Sequence, residues 1–247
     1  MKYIALVSLA LLGPATILAI ANPCSAQMSA GRRKVEAAYK FQEKLIDSTA
    51  TIEEVIGKWS RIARDTDVRK DADALAISYG CEGLLELQQG KKFRADSLLI
   101  RAMPLFRLTR SKAYFLVAYA ELERQIKHYD RAMRSYEEIV TTMDSMPELW
   151  DIQYYRASGY APYAYAIDAS LGIEQIGSMD AEYHKKAVEL LSATMDRHPV
   201  DALGLMALVA LHHLGAIQDV PYKFKLDLLC SRKPELRAVS ETFDRKF

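Results

Sequence analysis

The stretch Tyr114–Val140, YFLVAYAELERQIKHYDRAMRSYEEIV, decides the fold. Apolar residues recur along it at intervals of three and four, which is the spacing of one face of an α-helix. Lys127-His128 interrupts this spacing and predicts a turn. We therefore interpret the stretch as two helices joined in a hairpin.

The same helical spacing continues outward for almost the whole chain, and no stretch alternates as a β-strand does. Thr51 followed by Glu54 predicts a capping box at the start of one more helix. These patterns predict an all-α protein of hairpins that are roughly thirty to forty residues long. The further turns are predicted at residues 90, 108–110, 144–147, 177–178, 198–199 and 219–221.

The hairpin of residues 114–140 resembles a tetratricopeptide repeat (TPR) in the positions of its small, aromatic and aliphatic residues, which are Ala120, Tyr129, Ala132, Tyr136 and Ile139. In that family small residues let two helices approach closely, and aromatic residues fill the space between neighbouring repeats. An earlier stretch offers similar positions at Tyr79, Gly83, Gly90 and Phe93, and a later one offers Ala187, Leu191 and Pro199.

Two departures from the TPR pattern stand out. Asp96 occupies the place where the second-helix alanine of the earlier unit is expected, and the stretch between the second and third units is about twenty residues too long. We expect a TPR-like α-solenoid of about five hairpins plus a C-terminal helix, with a non-repetitive helical domain as the alternative. The expected divisions are 1–26 as a signal peptide, 27–69 as a helical pair, 70–200 as repeats, and 201–247 as a C-terminal hairpin and capping helix.

The N-terminus, MKYIALVSLALLGPATILAIANPCSAQ, has the arrangement of a secretory signal peptide. Lys2 precedes an apolar stretch that Gly13-Pro14 breaks, and small residues precede Gln27. A retained membrane anchor is one alternative, and a lipid anchor at Cys24 is another, although Asn22-Pro23 fits a lipoprotein signal poorly. We expect cleavage after residue 26, no stable membrane span afterwards, and a periplasmic or extracellular location.

After such cleavage the chain keeps two cysteines, Cys81 and Cys230, each within an apolar stretch. An oxidising compartment would permit a disulfide between them. Free cysteine is among the most often buried residue types, so two separate core thiols are the favoured interpretation.

The segment 152–166, IQYYRASGYAPYAYA, is unusually rich in tyrosine. Gly159 and Pro162 predict a kink, or a split into helices 148–158 and 162–176. The first helix of a TPR lines a concave groove, so the resemblance implies that part of this set faces a ligand channel. Packing between repeats is the alternative. The candidate groove residues are Tyr154, Tyr155, Tyr160, Tyr163 and Tyr165.

Charge is balanced overall, at a formal +1, but it is segregated along the chain. Residues 137–151 hold five acidic side chains and no basic one. A basic ridge is predicted to orient a protein partner, with a solvated helix face as the alternative. The ridge comprises Lys91, Lys92, Arg94, Arg101, Arg107 and Arg110. The overall balance argues against a nucleic-acid partner.

No metal-binding, phosphate-binding or nucleophile motif is present in the sequence, so we expect no cofactor, no metal and no enzymatic activity. His212-His213 is the one histidine pair, and adjacent helical residues point about 100° apart, which suits chelation poorly. The predicted function is an exported scaffold that binds another protein or a peptide. A small-solute or glycan-binding module with a tyrosine-lined groove is the alternative.

Overall fold

The computed structural model describes residues 28–107, 109–144, 161–234, 236–237 and 240. Within these ranges the regular structure is helical and no residue is in a β-strand, which confirms the all-α prediction. The expected signal peptide, with Cys24, lies outside the described residues.

The described ranges contain eleven α-helices and two short 3-10 turns, Glu43–Leu45 and Met103–Leu105. The helices are α1 (Ala30–Gln42), α2 (Ile52–Ile62), α3 (Thr66–Arg69), α4 (Ala72–Gln88), α5 (Lys92–Ala102), α6 (Thr109–Gln125), α7 (Tyr129–Asp144), α8 (Ala161–Gly177), α9 (Ala181–Arg197), α10 (Ala202–His213) and α11 (Asp219–Arg232).

Side-chain caps start several of these helices. The capping box predicted for α2 is present, because the Glu54 peptide N–H donates to Thr51 Oγ1 at 3.2 Å and the Thr51 N–H donates to Glu54 Oε2 at 2.7 Å. Asp71, Asp180 and Asp201 cap α4, α9 and α10 by accepting hydrogen bonds from first-turn N–H groups. Such caps satisfy donors that a helix start would otherwise leave unpaired.

The turns predicted at residues 90, 127–128, 177–178 and 198–199 are confirmed, whereas the turn predicted at 144–147 lies outside the described residues beyond position 144. Gly90 and Lys127 adopt left-handed backbone angles, with φ of +76° and +66°, and α8 and α9 end where turns were predicted at Gly177 and after Arg197. The turn predicted at 108–110 lies slightly earlier, because α6 already begins at Thr109.

The turn predicted near residues 219–221 lies a few residues earlier in the chain. Helix α11 begins at Asp219, and Pro221 is its third residue. A proline in the first turn of a helix costs no hydrogen bond, because N–H groups there have no acceptor within the helix. The chain turns earlier, around Gly215, whose φ is +72°.

The chain divides into two compact units, Met1–Leu122 and Glu123–Phe247. The division falls inside α6, within the range predicted to form repeats. The predicted domain limits at residues 69/70 and 200/201 stay predictions.

In the first unit α4 packs against α1, α2, α3 and α5. Trp59 of α2 is fully buried, its indole N–H donates to Gln42 Oε1 at 2.8 Å, and the Tyr39 ring meets it edge-on at 5.0 Å. Phe115 of α6 covers Gly80, where a Cβ atom would come within 2.6 Å of the phenyl ring. Glycine is therefore required for this approach of α4 to the ring.

In the second unit α8 packs against α7, α9 and α10. The buried ring of Tyr136 lies over Gly172, where an added Cβ would come within 2.1 Å of it. Helices α10 and α11 form a further apolar cluster, which comprises Leu205, Met206, Leu208, Val209, Tyr222, Leu229, Cys230 and Leu236.

Three hairpins share one internal design. Helices α4, α6 and α8 are 17 residues long, and their partners begin at Lys92, Tyr129 and Ala181, each twenty positions after the first helix begins. Each partner helix buries three side chains almost completely, at intervals of four and three positions, and this triplet begins at the fourth residue of α5 and of α7 but at the seventh residue of α9. These triplets are Ala95, Leu99 and Ala102; Ala132, Tyr136 and Ile139; and Ala187, Leu191 and Thr194.

The triplets correct two details of the predicted repeat. The fully buried Ala95, and not its neighbour Asp96, lies at the position of α5 that matches Ala132 of α7, and it packs against Gly83 of α4. Phe93 is 84% exposed, so it does not fill the space between repeats. Ala95 therefore supplies the small residue that the sequence pattern did not find at Asp96, while the TPR resemblance and the solenoid arrangement stay predictions.

Candidate protein-binding groove and the predicted site residues

The structure leaves the tyrosine hypothesis untested. Tyr154, Tyr155 and Tyr160 lie outside the described residues, and Tyr163 and Tyr165 belong to α8 but their side chains are not among those described. Helix α8 spans Ala161–Gly177, close to the predicted 162–176, with proline in its first turn. These five residues stay predicted groove residues.

Two cations of the predicted basic ridge contact carboxylates of α4. Arg94 Nε lies 2.9 Å from Glu86 Oε1, and another guanidinium nitrogen lies 3.5 Å from Glu82 Oε1. Lys91 Nζ lies 3.3 Å from Glu86 Oε2, and the Ser60 hydroxyl donates to Glu82 Oε1 at 2.9 Å. The Glu86 and Glu82 side chains are only 1% and 5% exposed. Because buried charges need partners, these two cations stabilise the α4–α5 hairpin.

Arg101 of the ridge is also engaged within the first unit. Its guanidinium lies over the Tyr79 ring, 4.2 Å from the centroid, and donates to the phenol oxygen at 2.5 Å. Lys92 is half-buried at the start of α5, whereas Arg110 belongs to α6 and its side chain is not among those described. Three of the six predicted ridge residues, Lys91, Arg94 and Arg101, therefore contact groups of the first unit, which the sequence alone did not indicate.

Arg107 borders a polar recess of about 470 Å³ in the first unit. Its peptide N–H donates to Asp73 Oδ1 at 2.7 Å, and Arg32 lies 3.4 Å from Asp73 Oδ2 and 3.7 Å from Asp71 Oδ2. The recess is also lined by Ser29, Gly31, Asp67 and Lys70. Its opposite charges contact one another, so Asp71 and Asp73 do not present uncompensated charge to a ligand.

The contact pattern around Glu86 recurs in the second unit. Glu123, His128 and Arg131 each stand thirty-seven positions after Glu86, Lys91 and Arg94. Glu123 is fully buried, His128 Nδ1 lies 2.9 Å from its Oε2, and Arg131 lies 3.5 Å from its Oε1. We call each set of three a hairpin clamp. The recurrence shows that the two hairpins hold a buried glutamate with two partners at matching positions.

An open groove of about 680 Å³ lies between α7 and α9 in the second unit. Each helix contributes residues at positions i, i+3, i+4, i+7 and i+11, which share one face of a helix. Met133, Leu190 and Ala193 supply its apolar surface. The polar lining consists of Asp130, Arg134, Glu137, Thr141, Lys186, Glu189 and Arg197.

The two ends of the groove differ in their contacts. At the amino-terminal end Lys186 Nζ lies 3.8 Å from Asp130 across the groove and 2.7 Å from Glu182. The hydrogen bond to Glu182 raises the pKa of Lys186, and the charge of Asp130 adds to this. Tyr129 and Tyr183 meet edge-on beside this pair at 5.8 Å. These contacts tie α7 to α9 there, and the opposite end carries Thr141 and Arg197.

The sequence prediction missed this groove. Its walls are separated by more than forty residues of chain, and each wall alone has the composition of an ordinary amphipathic helix. The identical spacing of lining residues in α7 and α9 is the one sequence signal that could have indicated it, once both were assigned as second helices of hairpins.

The adjacent histidines of α10 have separate partners. His212 Nε2 lies 2.9 Å from Asp219 Oδ1 and its ring stacks on Tyr222 at 4.0 Å, whereas His213 Nδ1 lies 3.4 Å from Glu174 Oε2. Burial raises the pKa of Glu174, and the charge of His213 partly offsets the increase. Among the described residues no three His, Cys, Asp or Glu side chains are grouped to hold a metal ion.

No protein-family model, curated protein sequence or solved structure matches this chain. The resemblance to TPR proteins stays a prediction from the residues quoted above. None of the helices in the described ranges is long and apolar enough to span a bilayer.

Proposed function

We propose that this chain is an exported, non-enzymatic, TPR-like scaffold that binds another protein in the cell envelope. The repeated hairpin design supports the solenoid part of the proposal. Helical-hairpin repeats stack with their neighbours and use the extended surfaces so formed for binding. The buried triplets of α5, α7 and α9 are what such stacking requires.

The α7–α9 groove is the single observation that carries the binding function. It is open to solvent, it combines an apolar floor with charged walls, and its volume is within the usual range for binding sites. Its lining spans twelve residues of each helix, and the eleven steps between the end residues correspond to about 16 Å or three helical turns. A groove of this length suits an amphipathic helix of a partner, placed with its apolar face inward.

The charges of the groove indicate what that helix should carry. Glu137 and Glu189 are exposed on opposite walls near its middle, and Arg134 is exposed one turn earlier. We expect a ligand helix with apolar residues at i and i+4 over Met133 and Leu190, and with basic residues toward the two glutamates.

A displayed library of amphipathic peptides tests the groove directly. Ala193 is exposed on the groove lining, so Ala193→Arg fills the groove with little effect on folding. Ala216→Arg makes the same change at an exposed turn of the same unit outside the groove and serves as the matched control.

We expect peptides selected on the wild-type protein to lose at least tenfold in affinity for Ala193→Arg and to keep it for Ala216→Arg. Thermal melts of all three proteins verify folding. Peptides that bind wild type and Ala193→Arg equally well would contradict the groove as the binding site.

The intact mass of protein recovered from the cell envelope tests export. We expect a chain that begins at Gln27 and carries no lipid. A mass that corresponds to a chain beginning at acylated Cys24 would contradict the cleavage site and indicate a lipid anchor.

A further inference from the structure

Helix α11 carries apolar residues on two opposite faces. Its inner face packs Tyr222, Leu229 and Cys230 into the cluster with α10. On its outer face Val220, Phe224 and Leu228 are 79%, 70% and 44% exposed. Large exposed apolar residues that follow one another along a helix commonly mark an interaction surface.

These three residues form a continuous stripe. Residues four apart on a helix are displaced by only about 40° around its axis, so their side chains follow one another along a single line. The stripe lies opposite the buried face of the same helix. We call it the outer stripe of α11.

Cations flank the outer stripe on both sides. Lys223 lies on one side, and Lys225 and Arg232 lie on the other, all three exposed. The two acidic residues of the helix are each held by a basic group from outside it. Asp219 Oδ1 lies 2.9 Å from His212, and Asp227 Oδ1 lies 2.8 Å from Arg237. The surface around the stripe therefore presents net positive charge.

We propose that the outer stripe of α11 binds the surface of an anionic lipid bilayer. An apolar helix face bordered by lysine and arginine lies in a membrane interface with its apolar side chains among the acyl chains and its cations at the headgroups. Each lysine or arginine close to an anionic membrane contributes roughly fivefold in affinity. Three cations and one exposed phenylalanine give a reversible, peripheral attachment.

The same charges disfavour a second copy of the chain as the occupant. In an antiparallel pairing of two copies centred on Phe224, Lys223 of one copy would lie on the same side as Lys223 of the other, and Lys225 on the same side as Lys225. Like charges placed opposite one another at an interface oppose association. An anionic surface instead complements every exposed cation of the helix. The proposal is independent of the α7–α9 groove, because it rests on different helices and different residues.

Vesicle flotation tests the proposal with the chain from Gln27 onward, so that the apolar residues near the N-terminus do not themselves bind lipid. The vesicles contain phosphatidylglycerol with phosphatidylcholine, or phosphatidylcholine alone. We expect the wild-type chain to float with the anionic vesicles only, and the floating fraction to fall as salt is added.

Three variants assign the binding to α11. Phe224→Asp removes the largest apolar side chain of the stripe, and the double variant Lys223→Glu with Lys225→Glu leaves the stripe intact but reverses its charge. We expect each to reduce vesicle binding by at least about tenfold. Phe93→Asp is the matched control, because it makes the same substitution at an exposed phenylalanine of the first unit.

Thermal melts accompany each variant. If Phe224→Asp melts at a lower temperature than wild type, the vesicle binding of the double variant Lys223→Glu with Lys225→Glu tests the proposal in its place. Wild-type protein that does not float with anionic vesicles would overturn the proposal. Equal binding by Phe224→Asp and Phe93→Asp would also overturn it. The proposal would also be overturned if sedimentation velocity showed self-association of the wild-type chain that Phe224→Asp abolishes, because a second copy would then cover the stripe.

Discussion

The clamps of the α4–α5 and α6–α7 hairpins each hold a buried glutamate between two residues at matching positions, but the side chains at these positions differ. The first clamp uses Lys91 and Arg94, and it holds a second buried carboxylate, Glu82. The second uses His128 and Arg131, and Tyr119 stands at the position that matches Glu82. One clamp therefore neutralises two buried carboxylates, whereas the other neutralises one.

The turns differ as well. Gly90 adopts the left-handed backbone angle in the first hairpin, and Lys127 adopts it in the second. In both turns the residue that follows donates its N–H to the carbonyl of the clamp glutamate, at 2.9 and 2.8 Å. The comparison shows that the hairpin conserves a buried carboxylate and a closed turn, while the residues that provide them can change.

Replacement of the arginine in each clamp should give the largest difference in stability between the two hairpins. Arg94→Met leaves two buried carboxylates with one cation, so we expect a loss of about 2 to 3 kcal/mol in the free energy of unfolding. Arg131→Met leaves Glu123 with His128, and we expect a loss of about 1 kcal/mol. Urea unfolding of both variants at neutral pH measures the difference. Equal losses of stability would show that the contact of Arg94 with the Glu82 carboxylate adds nothing to the free energy of unfolding.

Overpacking should affect the two hairpins equally. Ala95 and Ala132 are fully buried at matching positions of α5 and α7. Replacement of either by leucine should cost about 1 to 3 kcal/mol, because neither buried position has room for the longer side chain. Ala181→Leu, at an exposed position of α9, is the control and should change stability by less than about 0.5 kcal/mol. If only one of the buried alanines is sensitive, the two hairpins do not pack alike.

The turn residues should give the smallest effects, and these should have opposite signs. Gly90→Ala forces a Cβ atom into a left-handed conformation and should cost about 1 kcal/mol. Lys127→Gly relieves the same strain and should stabilise the protein by about 0.5 to 1 kcal/mol. Thermal melts of the two single variants check both signs. A destabilised Lys127→Gly would indicate that the lysine side chain contributes more than its backbone strain costs.

The sequence was sufficient to predict the helices, because their signals are local. The capping box at Thr51 and Glu54, the turn at Gly90 and the turn at Lys127-His128 each depend on residues within a few positions of one another. The turn near Pro221 was misplaced because proline in the interior of a helix breaks it, whereas proline in the first turn is tolerated. Pro221 lies in the first turn of α11.

The clamps and the groove could not be predicted in the same way. Glu86 has the sequence context of a surface residue, and only the packing of α5 across α4 buries it beneath Arg94. Counting charges along the chain therefore treated Lys91 and Arg94 as free to bind a partner. The α7–α9 groove depends on two helices that are distant in sequence and that both pack on α8.

The two free thiols among the described residues give each unit a reporter of transient opening. Cys81 and Cys230 are both buried without a disulfide, and burial raises the pKa of Cys81 to about 12 and that of Cys230 above its ordinary value. The Cys81 thiol also donates to the Tyr39 hydroxyl at 3.3 Å. Near neutral pH neither thiol supplies much of the reactive thiolate while its unit stays closed.

Alkylation of these cysteines should therefore proceed only as fast as the surrounding helices separate. The labelling rate of Cys81 would report on the first unit, and that of Cys230 on the second. Unfolding kinetics of the two halves could then be followed in a single sample without any introduced label.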